Sequence, residues 1–119
     1  MSENESLERN RIRLTHMLEA AKDAVAFAEG ITLEKLGHDK LRALALTRCI
    51  EIIGEAAASV TQDFRDEHPT IPWRVIVATR NRLIHAYFDV DLKILHDTLA
   101  NDLPNLIASP EKILGHQSL

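Results

Sequence analysis

The sequence predicts an all-α protein, an antiparallel bundle of four to five helices in one domain over residues 1–119. Three observations carry that reading. Apolar residues recur at spacings of three and four over long segments, the signature of one helix face. Glycine and proline are scarce, four of each in 119 residues, so few points interrupt those segments. No segment alternates apolar and polar residues as a half-buried strand does. The length suffices to bury roughly two-thirds of the unfolded surface around one core.

Helix by helix, the pattern reads as follows. Leu14, Leu18, Ala21, Val25 and Ala28 form a 4-3-4-3 seam that Gly30 stops. Thr32 to Leu36 forms one turn with Thr32 as its cap, ending before Gly37. A long helix then starts at Asp39 and runs to Phe64 or Arg65. On it Leu41, Ala45, Cys49, Ile52, Ile53, Ala56 and Val60 share one arc, which Leu46 and Ile50 widen to about half the circumference. So broad a face predicts a helix that is central, or shared with another subunit. Pro69 and Pro72 break the chain, and the next helix begins at Pro72 and carries Trp73, Ile76, Val77, Leu83 and Ile84. Asp89 or Asp91 caps a further helix with Leu92, Leu95, Leu99 and Leu103, before Pro104; Ser109-Pro110 closes the domain.

Composition excludes several classes. With 45% hydrophobic and 27% charged residues the chain is neither disordered nor low-complexity. No apolar run approaches the roughly 18 residues that a membrane span requires. The charged first ten residues predict no secretory signal, and a lone Cys49 predicts no disulfide within the chain. A cytoplasmic protein is the expectation. The net charge of −4 argues against a general nucleic-acid binder, but its distribution argues for a local one. Between His68 and Phe88 there is no Asp or Glu, while Arg74, Arg80 and Arg82 give that window +3 and leave −7 elsewhere. Such an island, with Arg74 and Arg82 as candidate contacts, can meet a phosphate backbone such as that of RNA locally, or is an ordinary helix whose acids lie elsewhere.

Arg80 does not fit a simple core. On one helix from Trp73 to Phe88, it lies among Trp73, Ile76, Val77, Ile84 and Tyr87, where an unpaired charge is costly. It must reach out to solvent, pair with an acid, or serve an anionic ligand. Arg48, Glu51 and Glu55 form a polar stripe at i, i+3 and i+7, and Glu51 or Glu55 can hold Arg80 across the bundle. That stripe reads equally well as a structural ion-pair network. His85 falls about 140° from Arg80 on an ideal helix. The two converge if the helix loosens near Ala86, or if a second copy supplies its own pair. Asn81, four residues before His85, shares its face and can orient the imidazole.

RNA cleavage without a metal requires a base for the 2′-hydroxyl proton, an acid for the leaving 5′-oxygen and a cation for the crowded phosphorane. Histidine serves either proton role near neutrality, and arginine grips phosphate oxygens in bidentate fashion. The remaining histidines show no spacing that makes a metal site; His16, His38 and His96 read as solvated or packed helix residues.

Arg80-Asn81-Arg82-Leu83-Ile84-His85-Ala86-Tyr87 resembles the Arg-x-x-x-x-His-x-Tyr signature of HepT-like toxins, in the HEPN superfamily of small helical RNases. Arg48 to Ala56, Ile71-Pro-Trp-Arg74 and Asp102 to Leu106 are also similar to that family, so the resemblance spans about residues 10 to 114. It implies a single HEPN-like domain and a homodimer whose cleft forms where two signature helices meet. It further implies a metal-independent endoribonuclease with Arg80 and His85 as the catalytic pair and Asn81 in support. The implied partner is a minimal nucleotidyltransferase antitoxin that transfers AMP from ATP to Tyr87, the chain itself needing no cofactor. An adenylate beside the cleft would repel RNA phosphate and block entry. The alternative is a non-catalytic helical module that binds a nucleotide or the nucleotidyltransferase, for which His85 is unnecessary. A structural dimer with Arg80 and Glu51 or Glu55 setting subunit register is a third reading.

Overall fold

The computed structural model describes residues 2–86 and 89–115, with the main chain alone for Ile84–Ala86 and Asp89–Val90. Seven helices account for most of them, and the all-α class holds: α1 (Glu3–Phe27), α2 (Leu33–Gly37), α3 (Lys40–Ala58), α4 (Gln62–Glu67), α5 (Trp73–Leu83), α6 (Leu92–Asn101) and α7 (Leu103–Leu114). The expected four to five become seven because the long helix expected from Asp39 divides into α3 and α4, and α7 follows where the last expected helix ends, at Pro104. A short antiparallel pair, β1 (Ile84–Ala86) and β2 (Asp89–Val90), separates α5 from α6.

The caps show why the helices begin where they do. Ser2, Thr32, Asp39 and Asp91 each accept a hydrogen bond from the backbone N–H three residues on, satisfying a donor the helix leaves unpaired. Ser2 lets α1 start well before the apolar seam does. Between the two aspartates the sequence left open, Asp91 is the cap of α6. Gly30, just beyond α1, takes a φ of 70°, a left-handed conformation that glycine adopts without a Cβ clash.

Three boundaries differ from expectation. The long helix ends at Ala58, because Arg65 donates to the carbonyls of Ala57 and Val60 and Thr61 turns its N–H to Asn10 Oδ1 at 3.1 Å. Helical structure does not end at Pro104, and it runs on through Ser109-Pro110 to Leu114. Pro104 lies in the first turn of α7, where its missing N–H costs nothing, and Pro110 is buried inside it. Finally, α5 ends at Leu83 instead of running on to Phe88. The Leu83 carbonyl, which a continuing helix would offer to residue 87, accepts from the N–H of Asp91 at 2.8 Å.

The core lies along α3, with α1 packed on it along much of its length, α5 against another face, and α7 packed against α1. Leu14, Met17, Ala21 and Ala24 of α1 meet Leu46, Ile50, Ile53 and Ala57 of α3 in one buried cluster, with Trp73, Ile76 and Leu83 of α5 in it too. The predicted seams are rotated slightly. Val25 is half exposed and Leu41, placed in the buried arc, is 80% exposed, so Met17, Ala24 and Ala43 take up the inward positions.

Asn10 is the buried polar joint of the fold, 4% exposed. Its Nδ2 donates to Thr61 Oγ1 at 2.9 Å while its Oδ1 accepts from Thr61 N, so one amide ties α1 to the turn after α3. Asn10→Ala should lose about 1–3 kcal/mol of stability through the unpaired Thr61 groups, read from urea unfolding. The Cys49 thiol is held above its ordinary value, first by burial and then by the nearby Asp23 carboxylate. In the unfolded chain it ionises near the usual pH of about 8.5. The stability gained by keeping it protonated is therefore complete below that pH and lost as pH rises towards the folded value. Urea midpoints measured from pH 7 upward should fall more steeply for the wild type than for Cys49→Ala.

Candidate functional site

The site grows from the crossing of α5 over α3. Arg80 stands in the middle of the inward arc of α5, between Trp73, Ile76 and Leu83, as the helical spacing predicts. Its charge is nevertheless reconciled with its neighbours, because the residue is half-buried and its guanidinium reaches the rim. There Nε–H and one Nη2–H both donate to Asn81 Oδ1, at 3.1 and 2.9 Å. Among the described residues Asn81 is the sole acceptor for this guanidinium. Two of its five N–H donors are used in this way among the described residues.

The acids on α3 are engaged elsewhere. Arg48 Nη1 lies 3.6 Å from Glu51 Oε2 and 3.6 Å from Glu55 Oε1, forming the polar stripe as a network within one helix. Among the described residues, then, neither Glu51 nor Glu55 pairs with Arg80. What lies under the Arg80 stem is Gly54, where an added Cβ would stand 2.7 Å from Arg80 Cβ. No expectation attached to Gly54 in the sequence, although a glycine inside a helix pattern is itself a signal of close packing.

His85 falls on β1, not on a helix. The β1–β2 pairing joins Ile84 to Val90 and Ala86 to Asp89, so the register slips by one between them and His85 occupies the irregularity. Such bulges recur beside active sites because they turn the chain locally. The expected i, i+4 relation of Asn81 to His85 is lost with the helix, and Asn81 attends Arg80 instead. Tyr87 lies outside the described residues. Arg74 and Arg82 are both exposed, on the side of α5 opposite the root of Arg80. Arg74 borders an open hollow together with Gln62, Arg65, Asp66 and Pro69. His16 and His38 are exposed, and His96 is half-buried with Nδ1 4.0 Å from the Asp97 carboxylate. Among the described residues no group of three or more His, Cys, Asp or Glu side chains is placed to hold a metal ion.

A cation offered to an anion at the end of a basic helix, with a histidine five residues on, is the geometry against which the relatives of this chain can be set. A family model described as Ribonuclease HepT-like matches residues 17–113. The chain belongs to the HepT-like ribonuclease family. A protein of Thermococcus cleftensis named as the probable ribonuclease HepT is 40% identical over 100 residues, covering 84% of this chain and 91% of that protein. A protein of Methanocaldococcus jannaschii provisionally named an RNase is 35% identical over 104 residues, covering 87% and 86%. Another, from Caldanaerobacter subterraneus subsp. tengcongensis, is 34% identical over 101 residues, covering 85% and 90%. No solved structure matches the chain. Membership of the HepT-like family supports an RNase activity and an RNA substrate, and no described helix is long and apolar enough to cross a membrane.

In this HepT-like chain the Arg48 network is peripheral to Arg80. Its arginine is 60% exposed, and exposed pairs contribute little. Arg48→Ala should therefore change stability by less than about 1 kcal/mol in thermal or urea unfolding.

Proposed function

We propose that this HepT-like ribonuclease is a metal-independent endoribonuclease toxin, acting in the cytoplasm at a cleft shared by two copies of the chain. The observation that carries the reading is the Arg80 guanidinium, rooted in the α3–α5 packing and clasped on one edge by Asn81, with its remaining N–H groups left for a phosphate. Arg80 and His85 are the catalytic residues of this proposal and Asn81 the residue that orients Arg80. Arg74 and Arg82 meet the RNA backbone outside the cleft.

The chemistry needs no more than these groups. One imidazole removes the proton of the ribose 2′-hydroxyl, and the O2′–P bond forms as the phosphorane develops charge against Arg80. The P–O5′ bond breaks as a second, protonated imidazole gives its proton to the leaving 5′-oxygen. The products are a 2′,3′-cyclic phosphate and a 5′-hydroxyl, and the two imidazoles have exchanged protonation states. A two-fold dimer supplies one His85 from each copy, which is why the proposal places the cleft between copies.

Control by a nucleotidyltransferase antitoxin follows the same electrostatics. The Tyr87 phenolic oxygen attacks the α-phosphorus of ATP, pyrophosphate leaves, and the phenolic proton is released. The adenylate so attached carries a negative charge beside the cleft, where it opposes RNA phosphate. A module that merely holds a nucleotide or this partner would use Arg80 in the same way, and cleavage distinguishes the two.

Purified protein should cut bulk RNA in excess EDTA and leave 2′,3′-cyclic phosphate ends. His85→Ala should slow that cleavage by about 10²–10⁴-fold, the usual worth of a general acid or base, with the fold intact. Undiminished cleavage by His85→Ala removes His85 from the mechanism. No cleavage by wild type whose mass shows an unmodified chain replaces the ribonuclease with the binding module.

A further inference from the structure

Gly54 lies inside α3, away from either end, in a position that is buried and otherwise regular. Glycine there costs about 0.5–1 kcal/mol relative to alanine, so helix stability alone favours a side chain. Its backbone does not need one missing for conformational reasons, since its φ is not in the left-handed region. The reason is contact. A Cβ on Gly54 would lie 2.7 Å from Arg80 Cβ, 2.8 Å from Cδ and 3.0 Å from Cγ. Cβ is fixed to the backbone of α5, so no rotation of the arginine relieves the first of these distances. Either α5 lifts off α3 or the two helices slide past one another.

The stem is thus held at two places. The α3 backbone supports it from beneath at Gly54, and Asn81 Oδ1 takes Nε–H and Nη2–H at its far end. With both in place, the height and direction at which the guanidinium leaves the α3–α5 groove are fixed before any ligand arrives. We propose that Gly54 is a positioning residue for Arg80, its missing side chain setting where the guanidinium meets the phosphate. The inference rests on the ribonuclease reading for its kinetic consequence, and on the contact alone for its geometric one.

Both consequences are measurable. In the wild-type protein, proton NMR should show Gly54 Hα close to the Arg80 Hβ and Hδ protons; absence of those contacts overturns the proposal. Gly54→Ala should move the Arg80 Nε–H resonance, identified by its disappearance in Arg80→Lys. In the same variant kcat for RNA cleavage should fall by about 100-fold while KM stays within about twofold, as displacement of a group acting on the transition state requires. Gly37→Ala is the control, because nothing lies within 4 Å of a Cβ there, and it should match wild type in both readouts. An unmoved Nε–H resonance, or a loss appearing in KM with kcat retained, overturns the assignment. Should Gly54→Ala fail to fold, the wild-type proton contacts decide alone. Should wild type cut no RNA, the ribonuclease reading falls, while the resonance and the proton contacts still decide whether Gly54 places Arg80.

Discussion

Arg80 lies against the main chain of α3 at Gly54, and the separation of the two helices at that crossing governs the stretch that follows. With α5 seated this closely, Leu83 at its end is fully buried, and its carbonyl is presented to Asp91 N instead of to the next helical turn. That hydrogen bond stops the helix and brings the chain back on itself through β1 and β2. Asp91 then caps α6 with its side chain, so one residue both closes the turn and starts the next helix. A buried helix end must satisfy its carbonyls in some such way, and here the means of doing so also sets the path of the chain carrying His85. Packing at Gly54 and the path of the chain at the end of α5 are therefore linked by a short series of contacts.

Much of this was legible in the residues. Helical class followed from periodicity, and the caps at Thr32 and Asp39 followed from residue type, because a short side-chain oxygen before an apolar run has one obvious use. Arg80 was marked by the mismatch between its charge and its apolar neighbours, and the Arg48, Glu51 and Glu55 stripe by its spacing. What resisted reading depended on contacts distant in sequence. The end of α3 at Ala58 is made by Arg65 reaching back and by Asn10 from α1, neither visible in a local pattern. The end of α5 depends on Asp91, eight residues beyond it. Gly54 carried no expectation, since only the crossing helix reveals what its missing atom admits. Helical spacing places Leu41 inward, yet single exposed leucines are common on protein surfaces, and Leu41 is one.

The split between what α5 buries and what it exposes has a meaning for its electrostatics. Arg80 holds its stem within a groove, packed against α3. Arg74 and Arg82 stand in water on the other side, where charges are screened over about 8 Å at physiological ionic strength. The first is suited to a defined contact with one phosphate and the others to a diffuse attraction.

The body around them adds a constraint of its own. With −7 spread over the rest of the chain, an RNA strand lying beyond α5 meets repulsion from the very surface that would have to bind it. Added salt weakens attraction at the arginines and repulsion from the acids together. For a single strand touching three cations, counterion release predicts a log–log slope of only about −2. On the proposed function, such a protein would gather little from the length of its ligand, so a long transcript and a short fragment of it would present almost the same target.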